Sequence, residues 1–173
     1  MYLKIIGSLF LMTSAALIGF LKAEELRTRV KMLQEMKRMM LLLQGEFRFH
    51  KAELSEAFLG VSERAGEPFS EFLFGISKKI ESRNAGGFEG IFHEESEKLL
   101  EAEGFCKEDL HLLELLQNSL GYLDLTMQTE TLNQAVMQTE EAIEQAKKQF
   151  EIKGRLYRTM GVTVGALLTL III

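Results

Sequence analysis

The sequence has one cysteine, one proline and no tryptophan among its 173 residues. A lone Cys106 has no internal partner, which excludes a secreted scaffold stapled by disulfides. A single proline, Pro68, falls short of the turn chemistry of an all-β sandwich, and no convincing strand, internal repeat or low-complexity run emerges. An excess of base is missing too. Twenty Lys and Arg stand against 25 Asp and Glu, a net charge of −5, which excludes a generally basic nucleic-acid binder. With 47% hydrophobic residues the chain can bury a core, so it is not disordered. Its length suits about one domain. What is present is unevenly placed: apolar residues gather at the two ends and acids in the middle.

The ends read as membrane segments. Ile5–Leu21 is 17 residues without a charge, between Lys4 and Lys22, at the lower limit for a spanning helix. Thr159–Ile173 is 15 uncharged residues after Arg158. At 1.5 Å per residue it reaches about 22 Å of a hydrocarbon layer roughly 30 Å thick. It must snorkel Arg155 and Arg158, thin the bilayer, or borrow partners; a buried C-terminal core helix is the alternative. The first run also invites comparison with a cleavable signal peptide through Ser14-Ala15-Ala16, although cleavage there would leave Leu17–Leu21 exposed. The resulting division is a membrane segment over residues 1–21, a helical-bundle domain over 22–158 and a short membrane segment over 159–173. Both flanks of the middle region are basic, net +3 over Lys22–Arg38 and +4 over Lys147–Arg158. Positive flanks place the middle region in the cytoplasm of a two-pass protein of the cell membrane.

The middle predicts an all-α hairpin, with first and last helices long and antiparallel. Leu26, Leu33, Met40, Phe47 and Leu54 recur every seven residues, with Met36 and Leu43 at a second seam position, a coiled-coil pattern. No proline interrupts this arm from the first membrane segment to Leu59, and one helix is expected to leave the membrane and continue into the cytoplasm. In the last arm Val136, Ile143, Phe150 and Tyr157 form one series and Leu125, Leu132, Thr139 and Ala146 another. Between the arms, Gly66-Glu67-Pro68 stops the first helix and seeds one over Phe69–Ile80. Asn84–Gly87 is a loop, Ile91–Ala102 is weakly amphipathic and Gly104 ends it. A Leu-rich helix then opens at Glu108-Asp109, and Asp124 stands where it would cap the last helix.

Catalytic chemistry is not legible. His50, His93 and His111 lack metal-ligand spacing, Cys106 lacks a CxxC partner, and neither a P-loop nor a dinucleotide fingerprint occurs. No enzyme, cofactor or metal is expected. The informative feature is charge: from Met39 to Ala146 eight basic residues face 21 acids, a net −13. That surface keeps the lobe soluble and off an anionic membrane, or docks a basic partner. Its densest run is Glu94, Glu95, Glu97, Glu101 and Glu103. In the terminal segments Ala15 and Gly19 are four apart, and so are Gly161 and Gly165. Measured from the charges that border each segment the two pairs lie at matching depths, which suits close helix packing.

The chain resembles the stage III sporulation protein AB family of endospore-forming bacteria. The resemblance is carried by Leu115-Leu116, Leu120-Gly121, Asp124 and Gln128, then by Arg155-Leu156-Tyr157-Arg158-Thr159-Met160-Gly161 and the aliphatic tail with Gly165. In the N-terminal half Arg29, Leu33, Leu43, Glu46, Leu54, Glu56 and Ala57 suit the pattern. Met160 stands in place of an expected leucine, and the stretch around Phe88 lacks an expected tryptophan. The resemblance implies a non-enzymatic platform of the sporulation channel between mother cell and forespore, similar to the helical platforms of type II secretion and type IV pilus machines. It further implies a mother-cell location and partners among the channel components, including a cytoplasmic ATPase. A homo-oligomer is compatible with that role, and Asp124 and Gln128 become partner contacts at the base of the last helix. Two other readings remain open, a membrane-tethered adaptor or sensor with an acidic docking tip, and a membrane-bound hydrolase. In intact cells, a reporter cysteine in Asn84–Gly87 is expected to resist a membrane-impermeant thiol reagent. Labelling there would reverse the orientation.

Overall fold

The structure, a computed structural model, describes residues 2–50, 53–82, 87–120 and 125–172. Among these residues the chain is all-α, with α1 (Tyr2–Gly45), α2 (Leu54–Ser62), α3 (Phe69–Glu81), α4 (Gly87–Lys98), α5 (Lys107–Leu120) and α6 (Leu125–Ile172). A π-helical turn, Glu46–His50, follows α1, and a 3-10 turn, Leu99–Glu101, follows α4. The expected long first and last helices are present. The chain divides into two compact units, Met1–Val30 with Glu144–Ile173, and Lys31–Ile143.

Two expectations need correction. The first arm is not one helix through Leu54: α1 ends at Gly45, a residue that weakens a helix interior, and the π-turn shifts the register. Leu54 therefore starts α2 instead of extending the seam of α1. Glu46 of the π-turn pairs with Arg64, just beyond α2. The second correction concerns the membrane segments. Among the described residues no helix is long and apolar enough to cross a membrane. As expected, the apolar runs are continuous with the long helices, forming the ends of α1 and α6, but their uncharged lengths sit at or below the usual limit. Hydroxyl residues dilute them further. Thr13, Ser14, Thr159, Thr163 and Thr169 each donate to a carbonyl one turn back, which satisfies the hydroxyl locally but leaves less apolar surface.

In the unit Lys31–Ile143, α1 and α6 run antiparallel. Leu33, Met36, Met40, Leu43 and Phe47 are buried, as the heptads predict, and Met32 and Met39 join them. Opposite these large side chains α6 places small ones. Ala135 and Thr139 are fully buried beside Leu132, and the Thr139 hydroxyl donates to the Ala135 carbonyl and lies 3.5 Å from Met40 Sδ. Flexible methionines fill the irregular space that a small-faced helix leaves. Polar pairs flank the seam, Lys37 with Glu140 at 2.8 Å and Gln44 with Asn133 at 2.5 Å. On α6 the series through Leu132, Thr139 and Ala146 is buried, whereas in the other series Ile143 is buried and Val136 and Phe150 are half-buried.

The short helices pack in chain order, α2 on α3, α3 on α4 and α4 on α5. Phe69, Phe72, Leu73 and Ile76 form the buried face of α3, with Ile80 half-buried. Phe88 stacks on Phe58 with ring centres 6.1 Å apart, and Phe92 meets Phe72 edge to face at 5.3 Å. The aromatic of this stretch is thus a phenylalanine. Gly104, at φ +84°, makes the turn into α5 that a side chain would strain. Asp109 then ties the start of α5, accepting from the Cys106 amide at 3.1 Å and its thiol at 2.9 Å. Of the expected loop Asn84–Gly87, only Gly87 is described, at the head of α4. Gly121, Tyr122 and Asp124 lie outside the described residues.

In the unit Met1–Val30 with Glu144–Ile173 the helices meet backbone to backbone. A Cβ added to Gly19 would lie 2.5 Å from the Tyr157 carbonyl oxygen, and one added to Gly161 2.8 Å from that of Ala15. At Gly165 the added atom would come within 3.2 Å of the Met12 backbone and 3.3 Å of the Ala15 Cβ. Gly161→Leu with Gly165→Leu is expected to separate these helices at a cost of about 1–3 kcal/mol. A lower melting temperature of the detergent-solubilised chain, followed by circular dichroism, measures it; an unchanged melt would contradict the contact.

Candidate functional site

Helix α4 carries most of the acidic run, and α3 decides what that run can do. Glu95 lies on the inward face of α4, only 4% exposed. Its Oε1 accepts from Lys98 at 2.7 Å and faces Lys79 of α3 at 2.9 Å. Lys79 also holds Glu94 at 2.6 Å. Gly75 makes room for the carboxylate: a Cβ there would fall 2.6 Å from Glu95 Oε2. Burial by itself raises the Glu95 pKa, but the hydrogen bonds from Lys79 and then Lys98 outweigh it and hold the carboxyl below its ordinary value. Lys79 is correspondingly held above the ordinary lysine range, first by Glu94 and then by Glu95.

The five acids therefore separate by position. Glu95 clamps α4 to α3 and is inaccessible to a partner. Glu94 is exposed but engaged by Lys79, and Glu97 lies 3.6 Å from His93 one turn back. Glu101 and Glu103 are exposed around the 3-10 turn and form no ion pair among the described residues. Gln128 is on the first turns of α6. Beside Glu95 a cleft of about 510 Å³ opens between α3 and α4, with Phe74 and Lys78 on its rim. The sequence spacing of Glu95 and Lys98 contained part of this cluster, since residues three apart share a helix face. Lys79 and Gly75 carried no such signal.

The other candidate surface belongs to the terminal helices. Ala15, Gly19, Gly161 and Gly165, singled out by spacing, are brought together at the α1–α6 contact. Their small size leaves the large neighbours outside the contact. Phe10, Leu17, Ile18, Phe20 and Leu21 on α1 are exposed, as are Met160, Val162, Val164, Leu167 and Leu170 on α6. Among the described residues no group of His, Cys, Asp or Glu could hold a metal ion.

These features define a class, an all-α protein whose long first and last helices pack against one another. The chain belongs to the stage III sporulation protein AB family, whose sequence model matches residues 4–173. A solved structure described as stage III sporulation protein AB is similar in fold, with a TM-score of 0.61 at 14% identity. The match covers 69% of this chain and 93% of that one. No curated protein matches. Membership carries a role in stage III sporulation.

Glu95→Gln is expected to cost about 1–2 kcal/mol at pH 7, toward the low end for bonds to a charged group because both lysines retain access to water. A carboxyl held below its unfolded value stabilises fully above that value and loses the contribution as pH falls through the lowered one. The stability gap between wild type and variant should therefore hold down to about pH 4.5, the ordinary value, and close below it. Denaturant titrations at several pH values measure this; an equal gap at pH 3 and pH 7 would assign the effect to packing.

Proposed function

We propose that the chain is a non-enzymatic platform of a membrane-bound sporulation complex between mother cell and forespore. One observation carries the reading: the terminal helices bury their small residues against each other and expose their large apolar ones. A surface of that kind is stable only in apolar surroundings, such as lipid or the helices of a partner. The apolar end of the α1–α6 pair is seated in the membrane on the mother-cell side, and residues 22–158 face the cytoplasm, where basic flanks favour retention. The acidic lobe then docks a cytoplasmic partner through Glu101, Glu103 and the outer acids Glu94 and Glu97. An ATPase and other channel components are the partners that family likeness suggests, with Asp124 and Gln128 as the further partner contacts which that likeness implies.

Co-purification from sporulating cells after membrane solubilisation tests the reading. The full chain should sediment with membranes and bring down other channel components. Charge reversal at Glu97, Glu101 and Glu103 should weaken capture of the cytoplasmic partner, and added salt should do the same to the wild type, since screening reaches about 10 Å at 0.1 M. Recovery in the supernatant without detergent would overturn the membrane placement. Capture insensitive to charge reversal would move the docking surface elsewhere.

A further inference from the structure

Within the unit Met1–Val30 with Glu144–Ile173, basic residues of the two helices are handled differently. On α1, Lys22 is paired with Glu25 at 2.7 Å and Arg27 with Glu24 at 3.4 Å. On α6, Lys147 is paired with Glu144 at 2.8 Å. The next four cations, Lys148, Lys153, Arg155 and Arg158, form no ion pair among the described residues. They are also the last four basic residues before the apolar end of α6, with Glu151 the one acid among them. Exposed Ile152, Leu156, Met160 and Val162 lie among and beyond them.

Two clefts meet at Arg158. One, of about 540 Å³, is lined by Phe150, Glu151, Arg155, Arg158 and Thr159. The other, of about 380 Å³, is lined by residues of both helices, with Phe20 and Arg27 of α1 facing Phe150 and Arg158 of α6. Arg158 is held in place. Its Nε donates to the Gly154 carbonyl at 3.2 Å. Gly154 has no side chain to come between, and a Cβ there would lie 3.3 Å from the Phe150 ring and 3.8 Å from Arg158 Nη2. With Nε committed, the terminal nitrogens of the guanidinium remain free to meet an anion. Arg155 lines the same cleft, so two forks with no carboxylate partner share one opening at the edge of an apolar surface.

The geometry points to a binding site for the phosphate of an anionic phospholipid, held by Arg155 and Arg158, with the acyl chains along the exposed apolar residues beyond. Guanidinium forks match phosphate oxygens two at a time, which an ammonium cannot do. Basic pockets between helices at a membrane surface favour such headgroups. Glu151 on the cleft wall disfavours a second negative charge, so a phosphodiester of single charge fits better than a phosphomonoester. The site rests on the membrane placement proposed above, and the test separates the two.

The full chain, in a neutral detergent, is melted with added phosphatidylglycerol or phosphatidylcholine. Phosphatidylglycerol should raise the melting temperature in proportion to its binding, and phosphatidylcholine should not. Arg155→Gln with Arg158→Gln should weaken phosphatidylglycerol about 30-fold, from roughly 1 kcal/mol per basic residue near a membrane surface. Arg155→Lys with Arg158→Lys keeps both charges and should weaken binding by less than the glutamine pair, yet measurably, because an ammonium cannot fork a phosphate. Should that pair alter the melt without lipid, Arg155→Lys alone serves, because its side chain has no partner among the described residues. Full affinity in the lysine variant would reduce the site to diffuse charge and overturn it. Equal stabilisation by inorganic phosphate at matched ionic strength would overturn the lipid assignment. Equal shifts from both lipids would remove the headgroup site and leave the membrane placement standing, whereas a chain monodisperse in buffer without detergent would remove both.

Discussion

The close approach of two helix backbones at Gly19 and Gly161 governs the terminal part of this protein. Each glycine sits where an added Cβ would press on the main chain of the opposite helix. Backbone cannot step aside as a long side chain can, so the spacing is set by what is absent. The same contact fixes where the bulk goes. With small residues inside, the leucines, isoleucines and phenylalanines of these turns have no room between the helices and stand outward. A water-facing hairpin would be built the other way round, with large residues inside and polar ones outside. The inversion ties the packing of the terminal helices to the proposed setting, because the hydrophobic effect disfavours such a surface in water and is absent within lipid.

The unit Lys31–Ile143 follows the ordinary rule. Its apolar residues are inside, with methionines and leucines of α1 against alanine and threonine of α6, and phenylalanines joining α2, α3 and α4. Two carboxylates break the rule. Asp109 is buried at the start of α5, where it accepts from the Cys106 amide and thiol. Glu95 is buried on α4, and a buried carboxylate is costly unless it is paired or hydrogen-bonded. Lys79 and Lys98 supply the pairing for Glu95, and Gly75 supplies the space. A hydrophobic residue of similar size could fill the space but would leave Lys79 and Lys98 without this carboxylate.

The other acids of the run differ from Glu95 in environment, not in chemistry. Glu101 and Glu103 follow α4 where the 3-10 turn and Gly104 carry the chain round to α5. The helix that would have buried them has ended, so they point into solvent. At the terminal unit the contrast recurs among cations. Lys22, Arg27 and Lys147 have carboxylates one turn away, while Arg155 and Arg158 have none within ion-pair distance and border open clefts. Paired charges add local stability, whereas unpaired ones beside an apolar surface are available to a ligand.

Much of the fold was legible in the sequence because helix periodicity is a local property. The seam of α1, the start of α3 after Pro68, the turn at Gly104 and, within a residue or so, the opening of α5 all follow from spacing and breakers within a few residues. Composition alone excluded disulfide, nucleic-acid and disordered classes. The end of α1 at Gly45 was not legible: a π-turn changes the count by one residue and leaves the apolar pattern readable on either side. The burial of Glu95 was equally hidden, since one acid in a run of five is distinguished only by a lysine and a glycine from another helix. The small-residue spacing at Ala15, Gly19, Gly161 and Gly165 could be written down from the chain, but which atoms meet depends on the helices being brought together. Sequence determines which residues share a face, because 3.6 residues make a turn whatever lies opposite. Only tertiary structure decides what that face meets, because burial, pairing and exposure belong to two surfaces at once.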